Sequence, residues 1–163
     1  MKKELLKGIT MLALIVTLAL VTAVVSANAQ SANSSKVVAN VPFEFSVGYK
    51  SMPAGEYSVQ TIASASNGLL IQTTDGKISV LRLSDLTQAG KDKPRARLLF
   101  HRYGERYFLA EVWSGADNTG RVLRQSEEET STAKELTIAS ANNHASSASH
   151  TPYELVEVLA ELR

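Results

Sequence analysis

The chain of 163 residues contains no cysteine. That absence excludes disulfides, thiol catalysis, cysteine-ligated zinc, iron–sulfur clusters and the acylated N-terminal cysteine of a bacterial lipoprotein. Histidine is scarce, with His101 alone and His144 and His150 in an Ala/Ser/Asn-rich stretch. Three unclustered histidines make no zinc site. None of the strings G-x-S-x-G, H-E-x-x-H or G-x-x-x-x-G-K-[ST] occurs, so no nucleophile elbow, zinc protease helix or phosphate loop is indicated. The formal net charge is only +1, and nucleic acid is excluded as a partner because phosphate binding needs a concentrated basic surface. Beyond residue 29 no segment is long and apolar enough to cross a bilayer as a helix.

What is present begins with an export signal. Lys2, Lys3 and Lys7 precede an apolar run from Ile9 to Val25, and Ala27 and Ala29 supply the small residues of a cleavage site. Residues 1–29 are read as a cleavable signal peptide, so the mature chain starts at Gln30 and is periplasmic or extracellular, with no transmembrane segment. The alternative is an uncleaved anchor, but the run is near the lower length limit for spanning and lacks a basic stop-transfer flank. The mature chain is long enough to bury one core without covalent staples.

Charge divides unevenly along it. Residues 30–126 carry twelve Lys and Arg against eight Asp and Glu, whereas 127–163 carry two against seven. A mildly basic body is followed by an acidic tail.

From Lys36 to Leu123 the pattern has mainly period two, interrupted by turn residues, the signature of antiparallel strands. In "VPFEFSV" Val41, Phe43, Phe45 and Val47 share one face, and Pro42 marks an edge, a strand start or a bulge. Pro53 and Gly55, Asn67-Gly68 and Asp75-Gly76 supply turns. The stretch 84–96 reads as a polar loop with a helical turn at Ser84, and Lys91, Lys93, Arg95 and the adjoining Arg97 as a solvated basic run.

"LLFHRYGERYFLAEVW", 98–113, is a hairpin about Gly104-Glu105, which suits a type II′ turn. Counting back from the turn pairs Tyr103 with Arg106, Arg102 with Tyr107, His101 with Phe108, Phe100 with Leu109 and Leu99 with Ala110. Both faces are then substantially apolar, so a helix, a second sheet wall, a ligand or another subunit must cover the second one. Arg102 beside Tyr107 is a cation–π pair.

The tail contains two helical patterns. Ser126 lies three residues ahead of Glu129, a capping box that predicts a helix over 126–138. Residues 139–150 read as a flexible polar linker. In 151–163 Thr151 as N-cap, Pro152 at the first helical position and Leu155, Leu159 and Leu162 on one side predict a short amphipathic helix. It either docks on the basic body through Glu154, Glu157 and Glu161 or frays as a weakly ordered tail.

The expected fold is therefore mainly β: a small antiparallel barrel or sandwich of six to eight strands over 30–125, followed by one or two C-terminal helices. "VANVPFEFSVGYKSMPAGEYSV" and "LLFHRYGERYFLAEVW" together resemble a group of short exported proteins common in acidobacterial genomes, through the pattern V-P-F-x-F-x-V-G, then P-A-G-x-Y, then F-H-R-Y-G-x-x-Y-F-L. The resemblance covers about 37–126 and implies a bacterial envelope location and a small β domain. It transfers no catalytic residue.

The sequence nominates His101, Arg102, Tyr107 and Trp113 as a binding surface, with strand packing as their default role. It nominates no catalytic residue, no metal ligand and no cofactor. The function it favours is a non-enzymatic binding or structural module of the cell envelope, whose partner is a protein or an apolar small molecule, or a second copy of itself. The alternative is a small hydrolase or isomerase using His101, Arg102 and Tyr107 in a cleft, which requires those side chains to converge.

Overall fold

The computed structural model describes residues 36–62, 67–90, 95–142 and 152–163. The predicted signal peptide, Lys91 and Lys93 of the basic run, most of the predicted linker and the predicted N-cap Thr151 lie outside them. Strands dominate: β1 (Lys36–Val41), β2 (Phe45–Val47), β3 (Lys50–Met52), β4 (Gly55–Thr61), β5 (Gly68–Thr73), β6 (Ser79–Gln88), β7 (Arg97–Tyr103), β8 (Arg106–Trp113) and β9 (Thr119–Leu123) precede one helix, α1 (Glu127–Asn142), and two last strands, β10 (Glu154–Leu159) and β11 (Glu161–Leu162). Among the described residues the protein is mainly β, with one helix near the C-terminus.

The hydrogen-bonded path is open and runs β10-β7-β8-β9-β6-β5-β4-β1-β11. β6 belongs to both halves of it. Its residues Gly68-facing Leu83 down to Ser79 pair β5, and Ser84–Gln88 pair β9. The short β2–β3 hairpin lies off the path, joined to β8 by one parallel bridge, Ser46 to Phe108.

The alternation in the sequence becomes the core. Val41, Phe45, Tyr57, Val59, Leu98 and Phe100 are almost fully buried. Phe45 meets Tyr57 and Phe100 edge-on at 5.0 and 5.2 Å, and Phe43 meets Phe100 edge-on at 5.2 Å. Edge-to-face pairs of this kind add to what area burial alone supplies. The hydroxyl of buried Tyr57 donates to the Pro53 carbonyl at 2.5 Å, so its polar end is satisfied. The "VPFEF" and "LLFHRY" segments are thus packed against each other.

Three expectations are corrected. The helix predicted over 151–163 is not formed by its described residues, 152–163. Glu154–Leu159 pairs β7 from Arg102 to Arg97, and Glu161–Leu162 pairs β1. The residues that form a helical stripe, Leu155, Leu159 and Leu162, are 58%, 63% and 45% exposed, whereas Val156, Val158 and Ala160 pack on the core. The segment also has period two with two β-branched valines facing in, and two unpaired sheet edges reward the extended form; a short isolated helix has no such reward.

The polar stretch after Ser84 is a strand as far as Gln88. Its outward side is solvated, so polar residues there carry no penalty, and pairing with β9 supplies the order. The helix continues four residues past its predicted end, into the stretch read as linker. The β body is therefore not confined to 30–125, since the C-terminal strands belong to it.

Candidate functional site

The hairpin β7–β8 turns at Gly104, whose φ of +62° is the left-handed conformation the first central position of a type II′ turn requires. The register from Tyr103–Arg106 to Phe100–Leu109 is the one read from the sequence. It then slips: Leu99 faces Glu111 and Leu98 faces Val112, so Ala110 is the extra residue of a β-bulge. The expected Leu99–Ala110 pair does not form. Because side chains alternate, one inserted residue exchanges faces for everything beyond it. Val112 enters the core beside Leu98, and Glu111 and Trp113 take the other face, where Trp113 is also buried.

The second face is covered at its turn end by α1. Ser126 caps the helix, its hydroxyl accepting from the Glu129 amide at 3.1 Å. The Glu129 side chain, which the capping-box pattern would send back to the cap, goes instead to the hairpin. Its Oε1 lies 2.6 Å from Nδ1 of His101 and accepts from the Tyr103 hydroxyl at 3.2 Å. Glu129 and Tyr103 are 5% and 2% exposed. Burial first, and the adjacent Glu129 charge second, push the Tyr103 phenol far above the ordinary tyrosine range, so it stays a donor.

Tyr153, just ahead of β10, stacks on the His101 ring with centroids 3.8 Å apart. Beside this cluster the Arg106 guanidinium donates to Thr132 Oγ1 at 2.7 Å, pairs with Glu128 and lies over the Phe108 ring. Polar anchors, rather than an apolar stripe, hold the helix.

Arg102 and Tyr107 belong to the opposite face. The guanidinium lies 5.6 Å from the Tyr107 ring centroid, donates through Nε to the Gly104 carbonyl at 2.8 Å and pairs with Glu154 at 3.4 Å. Tyr107 stacks on Phe43 at 4.0 Å. Trp113 is separate again: its Nε1 donates to Glu111 at 2.8 Å, Arg97 lies over its ring, and Gly120 sits beneath it. A Cβ on Gly120 would come within 2.7 Å of that ring, so only glycine fits the approach.

The four nominated residues are therefore distributed over three clusters and do not converge. Neighbours on one strand point to opposite sides of the sheet, which separates His101 from Arg102 and Tyr107. Glu129, Tyr153 and Glu154, which complete these clusters, come from the tail, and no local pattern in the sequence links them to the hairpin. Among the described residues no group of three or more His, Asp or Glu side chains is placed to hold a metal ion. No family model, curated protein or solved structure matches this chain.

Proposed function

We propose that this protein is an exported envelope module that binds or assembles rather than catalyses, acting in the periplasm or outside the cell. The observation that carries the reading is the separation of His101 from Arg102 and Tyr107. A hydrolase or isomerase built on those three needs one cleft, and each side chain is instead occupied by a packing or anchoring partner. Export rests on the basic, apolar and small-residue sequence of 1–29, and the envelope location also on the resemblance.

The architecture we infer is an open, flattened barrel. β6 and the C-terminal segment each pass from one set of strands to the other, which favours a barrel over two independent sandwich layers. Its outer wall supports a binding role. Leu81 and Leu83 on β6 are 59% and 73% exposed, Leu70 lies beside Leu81, and Ile62 is exposed next to them across Gly68. Adjacent exposed leucines on a sheet face mark a contact surface for a protein or an apolar molecule.

The test is native mass spectrometry of residues 30–163 purified gently from the envelope fraction of an exporting host. A multimer or a discrete added mass is expected. A bare monomer across the accessible concentration range overturns the reading.

A further inference from the structure

The two ends of the hydrogen-bonded path are completed by one short piece of chain. β10 forms six rungs with β7, and β11 forms two with β1. Lys36 and Arg163 add a reciprocal pair of backbone bonds at 3.2 and 2.7 Å. Without this segment both β7 and β1 would present bare strand edges, each a template for another strand.

The segment is weakly tied to its own chain in three respects. Its inward side chains are small and half-buried, Val156, Val158 and Ala160, while the outward leucines are exposed. Its link to α1 is residues 143–151, nine residues that can span up to roughly 30 Å. And its local pattern fits a helix as well as a strand, so the detached form has a competing conformation of its own. Charge contributes to recognition: Glu154 meets Arg102 at 3.4 Å and Glu157 meets Arg97 at 3.5 Å.

We propose that the cleft between β7 and β1 is a strand-acceptor site whose second occupant is residues 154–162 of another copy of this chain. The site selects an extended backbone that bonds along both edges, small apolar side chains at alternate positions, and acidic side chains opposite Arg102 and Arg97. A second copy meets all of these demands because the same segment in trans makes the same contacts. The pairing along β7 and β1 is the same whether the segment comes from the same chain or another, so exchange rises with protein concentration. The inference rests on the reading of the protein as an interaction module and names the surface through which copies associate.

The absence of cysteine makes the test direct. The Ala160 amide donates to the Ala96 carbonyl at 3.0 Å, which makes that pair hydrogen-bonded and, by alternation, makes Leu99 and Glu157 a non-hydrogen-bonded pair. Such pairs bring their side chains close enough for a disulfide. The full chain carrying both Leu99→Cys and Glu157→Cys should form an internal disulfide, and locking the strand this way should abolish its exchange. Full chains carrying Leu99→Cys alone, mixed in equal amount with isotope-labelled chains carrying Glu157→Cys alone and then oxidised, should give a mixed dimer well above the twofold excess over either homodimer that random pairing produces, increasingly so at higher concentration.

Mixed dimers no more abundant than the statistical twofold excess over either homodimer would overturn the proposal, as would failure of the doubly substituted chain to close on itself. A multimer or adduct in the mass measurement without the mixed dimer would leave the interaction module standing and remove only strand exchange.

Discussion

Nδ1 of His101 lies 2.6 Å from Oε1 of Glu129, and this one contact joins the middle of β7 to the first turn of α1. The same oxygen also accepts from Tyr103, so two strand residues share one buried helix carboxylate. The helix offers little apolar surface, and its position on the hairpin depends on this carboxylate and on the neighbouring Arg106 contacts with Glu128 and Thr132. The hairpin face that needed cover receives it through polar side chains.

Removing the shared carboxylate should therefore detach the helix. Glu129→Ala leaves the Tyr103 hydroxyl and His101 without their partner and is expected to lower stability by about 2 to 4 kcal/mol. Denaturant unfolding measures this, and hydrogen exchange should show protection lost in 127–142 before the strands. Protection equal to the parent's would refute the anchoring role.

Alkaline pH should act through Tyr103. Its phenol is raised by burial and by Glu129, so above about pH 10 the unfolded chain gives up that proton while the folded chain retains it. The unfolded state then binds fewer protons, and stability falls as pH rises. Tyr57, raised by burial, contributes in the same direction. The slope of unfolding midpoint against pH above this value should be shallower in Tyr103→Phe than in the parent, and an unchanged slope would count against the assignment.

The turn between β5 and β6 makes a local prediction. The Asp75 carboxylate accepts from the Thr73 hydroxyl at 2.6 Å and from the Lys77 amide at 3.1 Å, and with the Lys77 side chain these hold its pKa down to about 2. The Thr73 bond is the largest cause. Thr73→Val should move the Asp75 titration upward toward the ordinary aspartate range, followed by NMR. Because the folded carboxyl is depressed, whatever this turn contributes to stability is present above the unfolded pKa and lost as pH falls through about 2.

The strand at the C-terminus separates two side-chain sets that a helix would treat differently. Val158→Asp puts a carboxylate against the core and should cost about 2 kcal/mol or more, whereas Leu159→Glu faces solvent and should change stability by less than about 0.5 kcal/mol. Thermal or denaturant unfolding of the two variants decides it. A larger loss for the leucine would restore the helical reading.

Gly120→Ala offers a spectroscopic readout. The added methyl would meet the ring of Trp113, the sole tryptophan, which must shift at a cost of about 1 to 3 kcal/mol. A change in tryptophan emission together with a lowered unfolding midpoint is expected; parental emission would show that the ring has room.

Much of the fold was legible because it depends on short-range rules. Period-two alternation placed Phe45, Val47, Leu98 and Phe100 on buried faces, Gly104 marked the hairpin turn, and Ser126 marked the helix start. The Ala110 bulge was not legible: a one-residue insertion leaves composition and alternation nearly intact, yet it reverses Val112, Glu111 and Trp113. The site was less legible still, because Glu129, Tyr153 and Glu154 meet the hairpin across 26 to 52 residues of chain.

By itself the sequence determined a cysteine-free, mainly β chain with an acidic tail, a hairpin at 98–113 and a capped helix after it. These follow from residue chemistry and local periodicity, which act within a few residues. Tertiary structure alone decided that 154–162 is extended, since its pattern fits a helix and a strand alike. Two open sheet edges, with Arg97 and Arg102 beside them, gave the extended form hydrogen-bond and charge partners that no isolated helix of that length could have.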